Sequence, residues 1–556
     1  MKRIIIFIIL IPSFLCSQEL GVKEKIDEYL EQTEKVWEFQ GSVLVAKSDV
    51  IIYDDVYGMA NLKDKKRNTT TTKFLIGSVT KSFTAIAIMQ LVEKGVLNLD
   101  HPISSYLKNY SVDNWRKITI RHLLSHTSGI PVFSMLPDFR KKAMLSSSVN
   151  DIVDLFKDEP LIFEPGTKQQ YGSPGYLLLG IIIEDVTGLT YQDYIKQHIS
   201  NIAGMSETDI CEDYKSRPDF AIGYFKEARG KLIEAEPMIF PVAFSAGALS
   251  STTHDLYLLD CALNGDILLN ANSLEIMLNS EKGEYGLGFN IRNLAGHKIA
   301  GHDGTAPGFC ATFQRWLDDS LCVVILSNNA SLPLPIFNIA DALAAIVLNE
   351  RYELPLLKHP IPLEIDQLTE YEGVYQEKND TYHVIGLVGH RLAERNNYGI
   401  VKPILPESED IFYYEQDLTA TIRFSRDGEG NISQLISKKL FDERVAHKLG
   451  EAKADSIACA GSIVSVPTSV LNIYEGSYQF SPEAPNWNIF VNENRLFARA
   501  AGLPAIELLP LSETTFCIRS LGTRVMFNYD DNNTVIGITY IDQGTKRNAR
   551  RISKSN

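Results

Sequence analysis

At 556 residues the chain is longer than one hydrophobic core supports, since single cores stop growing at roughly 250 to 300 residues, and more than one domain is expected. A composition that is 45% hydrophobic and 22% charged excludes a disordered or low-complexity chain. Lys and Arg number 54 against 69 Asp and Glu, and a formal charge of −15 with no basic run of the required extent excludes nucleic acid as a partner.

The chain begins M-K-R-I-I-I-F-I-I-L-I-P-S-F-L-C-S-Q. Two positive charges precede an apolar run from Ile4 to Leu15 that is too short to span a bilayer, so residues 1–17 read as a secretory signal peptide cleaved after Ser17. The expected location is therefore periplasmic or extracellular. Cys16 offers a second outcome, acceptance of a lipid anchor, although Leu15 is a poor fit to the small residue such signals want before the cysteine. No later segment is apolar for long enough to form a transmembrane helix. The seven cysteines are scattered without a C-x-x-C pair, which argues against a metal knuckle or a dense disulfide framework and leaves room for one ordinary disulfide.

Helix and strand patterns alternate between residues 40 and 355. Q-G-S-V-L-V-A-K-S-D-V-I-I-Y-D-D reads as two strands around a Ser-Asp turn. Next comes G-S-V-T-K-S-F-T-A-I-A-I-M-Q-L-V-E-K-G, an apolar helix pattern headed by Ser78 and Lys81 and stopped at Gly95. At i and i+3 on a first turn the two side chains share a face. A lysine in an apolar cleft is costly in its charged form, which suits it to take the serine's proton. Taken alone, S-x-x-K reads better as a helix cap beside a solvated lysine, and Ser105 and Lys108 repeat the spacing in a polar, Pro-flanked segment.

His122 and His126, four apart in H-L-L-S-H, lack an intervening Glu and a third ligand, and read as structural rather than metal-binding. In F-E-P-G-T-K-Q-Q-Y-G-S-P-G-Y-L-L-L-G a Pro-Gly turn leads to Tyr171 and Ser173 in a loop before another apolar helix. A phenol whose pKa is lowered by a nearby lysine would serve there as a general base. G-H-D-G-T-A-P-G-F-C-A-T-F, followed by L-C-V-V-I-L-S-N-N, reads as two adjacent strands. Gly304 marks a close backbone approach, so the N–H of Thr305 and that of Ser78 would form an oxyanion hole with His302 beside the nucleophile.

From Leu363 onward the pattern becomes short strands broken by turns. Y-E-G-V-Y-Q at Tyr371 and Y-E-G-S-Y-Q at Tyr474 begin two copies of one β module, with Phe412 and Phe516, Phe424 and Phe527 at nearly the same offset. Each copy is small and antiparallel, and a closed barrel is the economical way to remove its strand edges. The repeated tyrosines read as core packing.

The order S-V-T-K, Y-G-S, H-D-G resembles the three signature elements of the serine β-lactamase and penicillin-binding protein superfamily, in its class C, esterase and D-aminopeptidase branch. Other segments agree in order, among them I-T-I-R-H-L-L-S-H-T-S-G-I, S-A-G-A-L-S-S-T-T-H-D-L and Y-G-L-G-F, over roughly residues 25 to 350. The resemblance implies an α/β domain over residues 18–357, with an antiparallel sheet flanked by helices and a helical lobe forming the other cleft wall. Lipocalin-like eight-stranded barrels would follow at 366–450 and 471–554, and in D-aminopeptidases a loop from such a barrel shapes the active site. By position, Ser78 would be the acylated nucleophile, Lys81 its base, Tyr171 the acid/base and His302 the third-motif residue, with Thr305 as oxyanion donor and Gly304 beside it.

Two departures bear on the substrate. Ser173 replaces the asparagine of Tyr-x-Asn with a shorter hydroxyl, and His302-Asp303-Gly304 stands where Lys-Thr-Gly is common, which weakens the hold on a substrate carboxylate. The expected function is an exported serine hydrolase that needs no cofactor or metal, acting on small amides or peptides, including D-amino-acid ones, or on short esters. The alternatives are a non-catalytic ligand-binding protein that uses the barrels, and a penicillin-binding sensor that acylates and barely turns over. Oligomeric state is not legible.

Overall fold

A computed structural model describes residues 21–552, apart from 109, 111–112, 137, 228–229, 281–282, 333–335, 380, 396–400, 416, 441, 460–462, 482–483, 531 and 543–544. The proposed signal peptide, Cys16 included, lies outside the described residues.

The part before the barrels is built on a six-stranded antiparallel sheet. Helix α1 (Val22–Trp37) leads into β1 (Gly41–Lys47) and β2 (Val50–Tyr57), which turn at Ser48 and Asp49, both at positive φ, as the Ser-Asp pair implied. Helices α2 (Thr80–Glu93), α3 (Pro174–Thr187) and α4 (Thr253–Asn264) follow, then β3 (Asn290–Leu294), β4 (His297–Ala306), β5 (Phe309–Trp316), β6 (Leu321–Ser327) and helix α5 (Ile336–Leu348). The order across the sheet is β3, β4, β5, β6, β1, β2. The two strands expected between Gly301 and Asn329 are three, because Pro307 and Gly308 fold the first stretch into a hairpin pairing Ala306 with Phe309.

Both faces of the sheet are covered, which explains why its central strands read as unbroken apolar runs rather than alternating ones. Val43, Val45, Val323 and Ile325 enter a core with α1 and α5, while Leu44, Ala46, Val324 and Leu326 enter the larger core with α2, α3 and α4. Helix α2 is buried on all sides from Thr80 to Leu91, and α3 from Pro174 to Ile183. Such helices are held by packing rather than by one amphipathic stripe. Helix α2, which begins just after Ser78, is thereby fixed between the sheet and the helical lobe.

Two closed eight-stranded antiparallel barrels follow, from Gly373 to Lys448 and from Gly476 to Ile552. The repeated motif is structural in both copies. Tyr375 and Tyr478 are fully buried, and each donates to the carbonyl four residues before it, at 2.7 and 2.8 Å. Glu372 and Glu475 accept the N–H of Leu387 (2.8 Å) and Val491 (3.0 Å). Tyr371 and Tyr474 tie the barrel entrance to the carbonyls of Glu409 and Glu513.

The copies differ beside Tyr375 and Tyr478, whose strand partners are His383 and Trp487. In the first barrel, buried His383 sits between Glu394 (2.5 Å) and Glu377 (2.7 Å). Desolvation opposes its charge, yet the two carboxylates together hold its pKa above the ordinary value. In the second barrel Trp487 packs edge-on to Phe480 and Tyr540.

The first barrel docks on the back of the catalytic sheet. Leu440 joins the core of α1 and α5, Asn338 of α5 bonds Asp417 (3.2 Å) and Lys439 (2.8 Å), and Lys438 pairs with Glu353. These polar contacts reach α5 and the chain just beyond it.

A disulfide joins Cys459, after the inter-barrel helix Glu451–Ala458, to Cys517 in the second barrel, 58 residues away. Replacing Cys517 by Ala is expected to remove about 2–4 kcal/mol from unfolding of the second barrel, by releasing the closed loop in the unfolded chain. Guanidinium denaturation followed by circular dichroism checks this. The reduced parent should match the variant, and an unchanged midpoint would show that the bridge holds nothing.

Candidate active site

Ser78 does not lie in the α-helix itself. It occupies a 3-10 turn, Gly77–Val79, that runs directly into α2. This turn is pressed against β4. A Cβ on Gly304 would lie 1.8 Å from the Ile76 carbonyl oxygen and 3.1 Å from Ser78 N. One on Gly77, itself at φ +51°, would lie 2.5–2.7 Å from the Thr305 backbone. Glycine is required at both positions, for space at one and for space and a left-handed backbone at the other. Strand β3 pairs with β4 only as far as Gly301, so beyond it that edge of β4 is left for the Ser78 turn and the exposed Thr305 backbone stands beside Ser78.

Lys81, the second residue of α2, is completely buried, with Nζ 2.9 Å from Ser78 Oγ and 2.7 Å from the Ala246 carbonyl oxygen. Rings of Tyr171 and Tyr176 lie 5.2 and 5.7 Å from the nitrogen. Desolvation brings the Lys81 pKa down to about 7. A neutral Lys81 amine still donates to Ala246 and can use its lone pair to accept the Ser78 hydroxyl proton. The Ala246 carbonyl follows a backbone kink at Phe244 (φ 29°, ψ −127°), a strained conformation for a non-glycine residue, held by ring packing against Tyr191.

Tyr171 reaches the Ser78 hydroxyl and is 45% exposed, so it forms the open wall of the cleft. Its pKa is not lowered by Lys81. Desolvation pushes it up to about 12 despite the Ser78 hydrogen bond, so the phenol keeps its proton at neutral pH and is suited to donate. The expectation of an acidified tyrosine fails because desolvation of the phenol outweighs the Ser78 hydrogen bond, and Lys81 is not among the groups that lower it.

His302 is buried, with Nδ1 2.7 Å from the Asp303 carbonyl oxygen and Nε2 2.9 Å from the Tyr285 hydroxyl. The carbonyl requires a proton on Nδ1, so Nε2 accepts from Tyr285. Desolvation, with Lys81 adding to it, lowers the His302 pKa to about 3 and keeps the ring neutral. Asp303 points to the opposite face of β4, where Thr312 donates to it (2.7 Å) and burial raises its carboxyl to about 6. It is thus an acidic neighbour of His302 in sequence and not in the cleft.

Ser173 is the residue before α3, its carbonyl taken by Tyr176 and Leu177 N–H. No hydrogen bond joins its side chain to Lys81 among the described residues, and the Ala246 carbonyl takes that place. The second S-x-x-K stays apart, because Ser105 ends a short surface turn while Lys108 reaches Asp185.

His122 is structural, accepting the Thr119 N–H as a helix cap (3.2 Å). His126 packs among the cleft tyrosines. Its ring lies 4.5 Å from both Tyr171 and Tyr285 and 5.1 Å from Tyr176, within the cleft floor, and burial holds it neutral. Together, His126, His302, Tyr171, Tyr176 and Tyr285 surround the amine with uncharged rings. Single-residue reasoning missed Tyr176, Tyr285 and the Ala246 carbonyl, although all lie in the segments whose order carried the resemblance.

A model of the Beta-lactamase family matches residues 31–345. The chain belongs to the beta-lactamase family. It is 32% identical over 400 residues to a penicillin-binding protein of Bacillus subtilis (strain 168), covering 68% of this chain and 88% of that protein. Among solved structures, the octameric penicillin-binding protein homologue from Pyrococcus abyssi superposes with a TM-score of 0.56 at 25% identity, over 76% of this chain and 99% of that one. The D-amino acid amidase of Ochrobactrum anthropi SV3 shares the fold at a TM-score of 0.51 and 22% identity, over 59% and 99% of the two chains. The family is one of serine hydrolases of penicillin-binding type.

If Lys81 must be uncharged to take a proton, kcat/KM for an ester should rise with pH through an inflection at about 7, and Lys81→Ala should lower it by on the order of 1,000-fold or more. Stopped-flow rates from pH 5 to 9 read this directly. Because the lysine is deprotonated above its folded-state pKa, an activity that falls as pH rises through this range would contradict the assignment.

Proposed function

We propose that the protein is an exported hydrolase that works through an acyl-enzyme on Ser78. The observation that carries this reading is a buried Lys81 amine, 2.9 Å from Ser78 Oγ, whose pKa lies at about 7. Ser78 Oγ attacks the substrate carbonyl carbon while Lys81 Nζ takes the hydroxyl proton, and the carbonyl oxygen gathers charge between the N–H groups of Ser78 and Thr305. Tyr171 gives its proton to the leaving amine or alkoxide and regains one from the lysine. Water then adds to the ester with the same amine as base, releasing the acid and restoring Ser78.

The third wall narrows the substrate. Where a lysine would offer a fixed positive charge, His302 is neutral with both ring nitrogens occupied within the protein. A free carboxylate on the substrate finds no permanent countercharge there, which favours neutral amides and short esters over penicillins and peptides ending in a free carboxylate. Small peptides with D-residues fall within this class. Export is supported by the Cys459–Cys517 disulfide, a bond that persists in oxidising compartments.

The test compares an acyl-D-alanine amide, its L-enantiomer and the corresponding D-Ala-D-Ala acid, with p-nitrophenyl butyrate as ester and intact mass to trap the adduct. Expected are an acyl mass on Ser78, loss of turnover by about 1,000-fold or more in Ser78→Ala, and at least about tenfold preference for uncharged substrates over the acid. Turnover that survives Ser78→Ala would sink the mechanism. A preference for the free acid would sink the substrate class alone.

A further inference from the structure

The helical lobe carries a surface where exposed apolar side chains adjoin a run of cations. From the floor of the cleft the backbone runs past Val132 into a short segment that turns back on itself, with Phe133 stacked on Phe139 at 4.2 Å. Leu136 and Met144 join these rings in lining an open hollow of about 580 Å³. Met135, Met144 and Leu145 are 54, 68 and 84% exposed. A single exposed apolar residue needs no explanation, but three beside an apolar hollow make a patch that something is expected to cover.

The same segment carries Arg140, Lys141 and Lys142 in succession, all exposed. None of them is in an ion pair among the described residues, whereas Lys157, Lys215 and Lys226 each have a carboxylate partner. Asp138 is the acid that lines the hollow with Arg140 and Lys141. Three unpaired cations around exposed apolar side chains match a surface that is negative outside and apolar within. Each cation near an anionic leaflet contributes attraction that decays over about 8 Å at physiological salt, and this same screening mutes the long-range repulsion of a −15 chain.

The patch also has a fixed relation to the active site. A Cβ on Gly172, next to Tyr171, would lie 2.6 Å from Val132 Cγ1, so the segment starts at the open wall of the cleft.

We propose that Met135, Met144 and Leu145, with Arg140, Lys141 and Lys142, form a docking face for an anionic lipid bilayer, which sets the mouth of the cleft beside the membrane surface. The contact is peripheral, since no helix among the described residues is long and apolar enough to cross a membrane. It needs neither a lipid on Cys16 nor a competent Ser78.

The test uses the chain from Gln18, which contains all of the described structure and carries neither signal peptide nor Cys16. Co-sedimentation with vesicles of phosphatidylglycerol and phosphatidylethanolamine is compared with phosphatidylcholine vesicles. Binding to the anionic vesicles alone is expected, weakened by salt. It should fall at least about tenfold both in R140Q/K141Q/K142Q and in M144S/L145S, with Ser78→Ala binding as the parent does. Circular dichroism and ester hydrolysis should be unchanged in both patch variants. No binding to anionic vesicles, equal binding to both compositions, or loss in neither patch variant would overturn the proposal. Self-association that depends on Met144 and Leu145 without vesicle binding would give the face to a second copy of the chain and overturn it equally.

Discussion

Everything about this active site depends on keeping one amine dry and uncharged. A lysine in water is protonated at neutral pH and cannot accept a proton. Burying Lys81 makes its charged form costly, and the surrounding side chains remove the opposing influences. The Ala246 carbonyl gives the amine a hydrogen bond without a full negative charge, and the nearby rings of Tyr171, Tyr176, His126 and His302 supply no carboxylate. The same dryness suppresses titration elsewhere in the cluster. His302 and His126 stay neutral and Tyr171 and Tyr285 keep their protons, so the amine alone is poised near neutrality.

That dryness requires the architecture. Helix α2 is buried on every side, and the helix that carries Tyr176 is equally enclosed, so neither can rotate to bring water to the lysine. The glycines at 77 and 304 let the Ser78 turn touch β4 backbone to backbone, bringing two N–H groups together where side chains would have held them apart. The burial of Lys81 also couples catalysis to stability. A lysine whose folded-state pKa is about 7 lies below its unfolded value, so the fold gains stability as pH rises from about 7 toward that value. The barrels stand outside this arrangement. The first leans on the back of the sheet through α5 and Leu440, and its buried His383 between two carboxylates shows that the two copies kept a common frame while their interiors diverged.

Much of this was legible in the sequence, and for identifiable reasons. The catalytic strands and helices announced themselves through apolar runs and turn residues, and the barrels through the repeated Y-E-G-x-Y-Q, whose tyrosines pack and latch in both copies. The Ser78 and Lys81 pairing followed from spacing on a helical turn. What stayed hidden depends on tertiary placement. The direction of the Tyr171 shift is set by desolvation of the phenol, which only its tertiary surroundings decide. Asp303 adjoins His302 in the sequence, but neighbours on a strand face opposite ways, and its carboxyl meets Thr312 on the other face of β4. His126 lacked a metal-binding context, so its place among the cleft tyrosines had no local signal. The Pro307–Gly308 turn is written in the sequence and divides this stretch into three strands rather than two.

The account is tested most directly by titrating Lys81 itself. NMR of protein labelled at lysine Cε and Nζ, with the resonance assigned by its loss in Lys81→Met, reads the amine's protonation state without any assumption about substrate. A midpoint near pH 7 is the result the account predicts. An amine that stays charged to above about pH 9, near the behaviour of a solvated lysine, would contradict it, because Ser78 would then have no base in this site.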